Sequence, residues 1–164
     1  MNQQPKEKAM SDSEFNIRDI MKHYEDTQRE TERRAMNLRD GVMKILNDGG
    51  VKSVTVGFDG YGDSGDIGGM VASPAAGEAL LEVSLPGTKH KKIEWVDGKP
   101  VSGERDRTVR EAIAEIAYAL LGNHPGWEIN DGSCGEFVFL PKTNEINLTF
   151  NQRVESYETS EETY

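Results

Sequence analysis

With 29 aspartates and glutamates against 19 lysines and arginines, the 164-residue chain carries a formal net charge of −10, which disfavours nonspecific binding to a phosphate backbone. Its length suffices for one domain with a hydrophobic core. A single cysteine, Cys134, excludes an internal disulfide framework and fits a reducing cytoplasm, and no apolar run is long enough to span a membrane or to form the core of a secretory signal.

Residues 1–12 are polar and are expected to be disordered. Ser11 and Glu14 have the spacing of a capping box, and a long helix is predicted over 13–48. Its apolar residues recur at heptad spacing, with Ile17, Tyr24, Leu38 and Ile45 in one row and Met21, Ala35 and Val42 in another. Residues 27–34 have almost no apolar face. Charge pairs one turn apart there, Glu25–Arg29 and Glu30–Arg34, suit a solvated helix. The C-terminal half, 35–46, should pack on the domain. The N-terminal half projects, packs on another copy, or bends back over its own domain. Asp48-Gly49-Gly50 ends the helix.

The next stretch, 51–70, is the most informative. Val54, Val56 and Phe58 alternate with Ser53, Thr55, Gly57 and Asp59, the period of a half-buried strand. Gly60, Gly62, Gly65, Gly68 and Gly69 then punctuate Asp59, Asp63 and Asp66, which predicts a tightly turning connection. Ile67, Met70 and Val71 read as a returning strand. Three readings of the connection stand. It is a hairpin or bulged turn, a divalent-cation site built from clustered carboxylates, or a rigid loop presenting Tyr61, Asp63 and Asp66 to a partner. The spacing of the three aspartates is not that of an EF-hand, and no Glu closes it. Gly62-Asp63-Ser64-Gly65 matches the tetrapeptide around a trypsin-like nucleophile. The reading fails, because the only earlier histidine, His23, lies in the predicted helix and the motif continues with Asp66 instead of Gly.

Pro74-Ala75-Ala76-Gly77 is predicted as a turn, Leu81, Val83 and Leu85 as a strand stopped by Pro86-Gly87, and Ile93, Trp95 and Val96 as a further strand. Between them Lys89, His90, Lys91 and Lys92 form the one basic cluster, read as a charged strand edge or turn in preference to a phosphate site. Asp97-Gly98-Lys99-Pro100 is a turn, and 101–107 is expected to be a loop. A second helix starts at the capping box of Thr108 and Glu111. It has an apolar face of Val109, Ala112, Ile113, Ile116, Ala117, Leu120 and Leu121 and stops at Gly122. Glu111 and Glu115 lie one turn apart without a histidine in register and are read as solvated. Phe137–Leu140, the turn Pro141-Lys142-Thr143-Asn144 and the alternating Ile146, Leu148 and Phe150 form a closing hairpin. His124 has no nucleophile paired with it and is read as structural or exposed. A reactive Cys134 needs a basic neighbour, and none is visible beside it in sequence. The tail, 155–164, is acidic and expected to be mobile, with the composition of a short docking segment.

Three stretches taken together, VTVGFDGYGDSGDI, AIAEIAYALL and HPGWEINDGSCGEFVF, resemble a bacterial family of uncharacterised domains often linked with plasmids and other mobile elements. The likeness runs from about Val51 to the C-terminus. It implies no activity. It singles out Asp59, Gly60, Gly62, Asp63, Ser64 and Gly65, and Trp127, Glu128, Asn130, Asp131, Gly132, Gly135 and Glu136, as shared positions.

The expected fold is α+β, with a long N-terminal helix, an antiparallel sheet, a second helix on one face and a closing hairpin over 49–154. The expected function is a non-enzymatic interaction module, an accessory or inhibitor protein of a mobile element. Its binding surface would comprise Asp59, Tyr61, Asp63, Ser64, Asp66, Trp127, Glu128, Asn130, Asp131 and Glu136. No cofactor is expected. The alternative is a metal-dependent enzyme acting on nucleotides or phosphoesters, with Asp63, Asp66, Asp131 and Glu136 converging on a divalent ion. A third reading is an oligomer formed through the first helix. A protein partner is expected, and neither a membrane nor direct nucleic-acid binding.

Overall fold

The structure, a computed structural model, describes residues 17–156 and 158–164. The predicted disordered segment and the Ser11–Glu14 capping box lie outside the described residues. Helix α1 spans Ile17–Asp48, strand β1 Ser53–Gly62, β2 Ser64–Ser73, a 3-10 helix Ala75–Glu82, β3 Ser84–Val96, β4 Lys99–Thr108, helix α2 Val109–Leu121, β5 Asn130–Leu140 and β6 Glu145–Gln152. This is the α+β architecture expected.

Four strands form an antiparallel sheet in the order β2-β1-β5-β6. Period-two alternation decides which way it faces. Val54, Val56 and Phe58 of β1 are buried, as are their neighbours Phe137 and Phe139 of β5. Ile146, Leu148 and Phe150 of β6 extend the same face. That face closes over α2, through Val109, Ala112, Ile113, Ile116 and Ala117, and over Ala35, Val42, Met43 and Leu46 of α1. The opposite face, with Thr55, Asp59, Glu136, Val138, Asn147 and Thr149, has no described element above it. Burying one face of a sheet against helices and leaving the other to solvent is what alternating strands allow.

Every residue of α1 from 17 to 27 is exposed. Contact with the domain begins at Gln28, whose Nε2 donates to the Ala119 carbonyl at 2.9 Å, and at Glu32, which accepts from Asn123 Nδ2 at 3.0 Å. The first half of the helix therefore stands clear of its own domain instead of bending back over it. Glu30 bonds both Arg33 and Arg34, which lower its pKa to about 2.

Three predicted elements differ. Leu81, Val83 and Leu85 are not a strand. Leu81 is buried at the end of the 3-10 helix and Leu85 begins the core side of β3, so two different elements imitate one alternation. Pro86-Gly87 does not end a strand, because β3 absorbs it in a register break between Ser84 and Lys89. Residues 101–107, expected as a loop, belong to β4, and the basic cluster lies within β3. Among the described residues these two strands pair only with each other, in a ribbon turned by Asp97 and Gly98, both at positive φ (50° and 74°). The ribbon is anchored at its base. Arg105 grips Glu111 through two nitrogens (2.9 and 2.5 Å) and Arg107 pairs with Glu115 at 2.6 Å. Glu111 and Glu115, read as solvated, are therefore the ribbon's ion-pair partners. The α2 capping box forms as predicted, with Thr108 Oγ1 accepting from Glu111 N and Glu111 Oε2 from Thr108 N.

Candidate functional site

The aspartate- and glycine-rich connection is a two-strand hairpin. Tyr61 and Ser64 face each other across Gly62 and Asp63, and Gly62 takes φ +75°. Primed two-residue turns need that conformation, and glycine adopts it without steric cost. The other glycines serve a close approach. Gly60 and Gly65 are register partners whose inner side forms a flat floor, and the Trp127 segment lies on it. A Cβ at Gly65 would stand 2.3 Å from Trp127 Cη2, and one at Gly60 would stand 2.4 Å from the Trp127 carbonyl oxygen. Trp127 meets Phe58 edge to face at 5.9 Å, and His124 stacks on Phe150 at 4.4 Å. Gly132, at φ +63°, brings its own backbone against Gly60, where a Cβ would sit 1.9 Å from the carbonyl oxygen. The two acidic, glycine-rich segments are thus one packed unit at the end of the sheet.

On the uncovered face of that end, Asp59 and Asp66 are register partners. With Tyr61, Ser64 and Gly65 they line a shallow depression of about 390 Å³. The Tyr118 hydroxyl closes its edge, accepting from Ile67 N (3.3 Å) and donating to Asp66 Oδ1 (3.2 Å). A second depression of about 390 Å³ lies alongside, between Pro125, Ile129, Asn130, Asp131, Gln152 and Arg153.

Arg153 separates the two. Its Nη2 donates to Asp59 Oδ1 at 2.7 Å, and its Nη1 donates to the carbonyls of Gly60 (2.7 Å) and Asp131 (3.3 Å). Its backbone N donates to Gly132 O at 3.1 Å. Asp59 above all, and Cys134 in a smaller way, raise the arginine's pKa. Arg153 is also the basic neighbour that the sequence around Cys134 lacks. The sequence reading missed it. Its parity with Asn147, Thr149 and Asn151 puts it on the outer face, but only the strand order β1-β5-β6 carries it to Asp59.

The residues named from sequence divide accordingly. Asp59, Tyr61, Ser64 and Asp66 share the first depression, and Asn130 and Asp131 the second. Asp63 is exposed at the turn, and Glu136 is exposed further along the same face, opposite Gly57 and Thr149. Trp127 is a buried floor contact. Glu128 is half-buried, with Oε2 unpartnered among the described residues. Among those residues, no three His, Cys, Asp or Glu side chains form a metal-holding group, so Asp63, Asp66, Asp131 and Glu136 make no common cluster. With Asp59 tied to Arg153, the carboxylates left to act on a ligand are Asp63 and Asp66, beside the exposed Tyr61 ring. Such a surface accepts hydrogen bonds from cationic donors.

No curated protein and no solved structure matches the chain. The match to a family model covers residues 34–164, which begins one residue before the first buried position of α1 and takes in every strand, α2 and the tail. The chain therefore belongs to a family of unknown function, DUF6878.

Proposed function

We propose that the protein is a non-enzymatic binding module that takes a cationic side chain of a protein partner at the Asp59–Asp66 depression. The observation that carries this reading is the placement of Tyr61, 68% exposed, beside Asp66 on a sheet face that no described element covers. Tyr61 offers a ring for a guanidinium or ammonium group, and Asp66 offers a charge-assisted acceptor. The Trp127 floor keeps the hairpin rigid enough to present both. The motif resemblance to domains linked with bacterial plasmids and mobile elements supports an accessory or inhibitor role, and the single cysteine supports a cytoplasmic setting.

A titration with a short arginine-rich peptide, followed by amide chemical shifts, tests the reading. Saturable shifts across residues 59–67 are expected, and Asp66→Asn should weaken binding by about tenfold, one charge-assisted hydrogen bond. Shifts that spread evenly over the acidic surface, or none at millimolar peptide, would sink the proposal.

A second reading rests on α1. Ile17, Ile20, Met21 and Tyr24 are all exposed at the spacing of one helical face, on the half that projects. An apolar stripe of this kind suits a helix-mediated oligomer. Tyr24→Glu should then lower the particle mass in light scattering, and an unchanged mass would remove this reading.

A further inference from the structure

We infer that the β3–β4 ribbon is a docking arm for the acidic C-terminal tail of a second copy of this chain. Among the described residues the two strands form a sheet of their own, so each keeps an outer edge of backbone groups that no other described strand pairs. An isolated two-stranded ribbon is marginal in water. This one nevertheless exposes Ile93, Trp95, Val96 and Val101, with Trp95 73% accessible. Lys89, Lys91, Ile93 and Trp95 alternate onto one side of it.

Charge identifies the occupant. Along β3 the exposed edge carries Lys89, Lys91 and Lys92 against Glu94, a net positive run on a chain of net −10, while Glu104 and Asp106, the register partners of Lys91 and Lys89, lie one strand away on β4. Among the described residues, the only lysine of the arm in an ion pair is Lys92, with Glu94. The tail has the opposite character. Residues 155–164 hold Glu155, Glu158, Glu161 and Glu162, two tyrosines, and no lysine or arginine. Its described residues are exposed and lie in no helix or strand. In an extended strand laid parallel to β3, Glu158 falls opposite Lys89, Glu161 opposite Lys92 and Tyr164 opposite Trp95. Strand addition to a free edge, with charges and aromatics setting the fit, is an established mode of peptide recognition.

The geometry favours a second copy. The arm leaves the domain where Thr108 caps α2. The tail leaves after Gln152, beside Ser133 and near His124, past the other end of α2. The two points are separated by roughly 20 Å of helix, and the tail's described residues pair with no strand of their own chain, which leaves the arm's edge to the tail of a neighbouring molecule. Reciprocal exchange gives a two-fold pair.

Sedimentation velocity of the full chain from micromolar to millimolar tests this. Reversible dimerisation that weakens with salt is expected, with Trp95 emission shifting to the blue. The triple changes Lys89→Glu, Lys91→Glu, Lys92→Glu and, separately, Glu158→Lys, Glu161→Lys, Glu162→Lys should each weaken association by about tenfold, the sum of three exposed pairs. An equimolar mixture of the two variants should associate again, because each then offers the other a complementary arm or tail. Tyr24→Glu should leave the association unchanged. A concentration-independent monomer, a mixture that stays monomeric, or loss of association in Tyr24→Glu would overturn the inference.

Discussion

Gly62 and Gly65 stand three residues apart in one hairpin and are glycine for different reasons. At Gly62 an added Cβ meets no atom within 4 Å, and only its φ of +75° is demanding. At Gly65 the backbone is unremarkable and Trp127 fills the space. Gly62→Ala should therefore cost about 1 kcal/mol, the strain of a left-handed L-residue. Gly65→Ala should cost about 2–3 kcal/mol, because the indole must leave its floor. Urea unfolding followed by tryptophan emission separates the two, and equal costs would contradict the packing described. That the chain turns within 59–69 was legible in sequence, since glycine and aspartate crowd there after an alternating run, but the place of the turn at Gly62-Asp63 was not, because both strands run on through the glycines. The floor was not, because the contact at Gly65 is made by a residue far along the chain. The same distance hid Arg153.

Helix α2 shows what an element must do to be read. Its cap, its apolar face and its end are all local, and each was predicted where it occurs. Strand β4 shows the reverse. Neither face of a two-stranded ribbon is buried, so 101–107 shows no apolar alternation and reads as a loop. Its arginines are what tie it to α2. Thr108→Ala should lower stability by about 1 kcal/mol through loss of the cap, measured by chemical denaturation. Glu111 makes a pH signature. Hydrogen bonds from Arg105 lower its pKa from the ordinary 4.5 to about 2. The unfolded chain thus takes up the proton first as pH falls. The stabilisation is complete above 4.5 and is lost on descending towards 2. With 37% of the side chain exposed, solvent screening keeps that stabilisation below about 1 kcal/mol. The acid limb of Tm against pH should be shallower in Glu111→Gln than in the wild type.

At the scale of the molecule, α+β class and antiparallel pairing were legible because strands and helices announce themselves by period. The strand order was not, and the order decides which loops meet. It brings the two acidic segments together, yet it spreads their carboxylates over a turn, two depressions and the middle of the open face. Thermal unfolding in chelator and then with millimolar Mg²⁺, Mn²⁺, Ca²⁺ or Zn²⁺ is accordingly expected to give the same Tm. A ligand that binds only the folded state must raise it. A rise abolished by Asp63→Asn and Asp131→Asn would restore a metal centre.

The central position of β1 also sets a route for assembly. It pairs with β2 across a two-residue turn, but with β5 only after the 3-10 helix, the ribbon and α2 have intervened. Contacts distant in sequence form late, since loop closure precedes any reward from them. The β1–β2 and β5–β6 hairpins should form early, and their zippering along β1 and β5 should limit the rate. Val56→Ala, which weakens that seam, should slow refolding, whereas Ile146→Ala on the far strand should mainly speed unfolding. Stopped-flow refolding of the two variants gives both arms of the comparison.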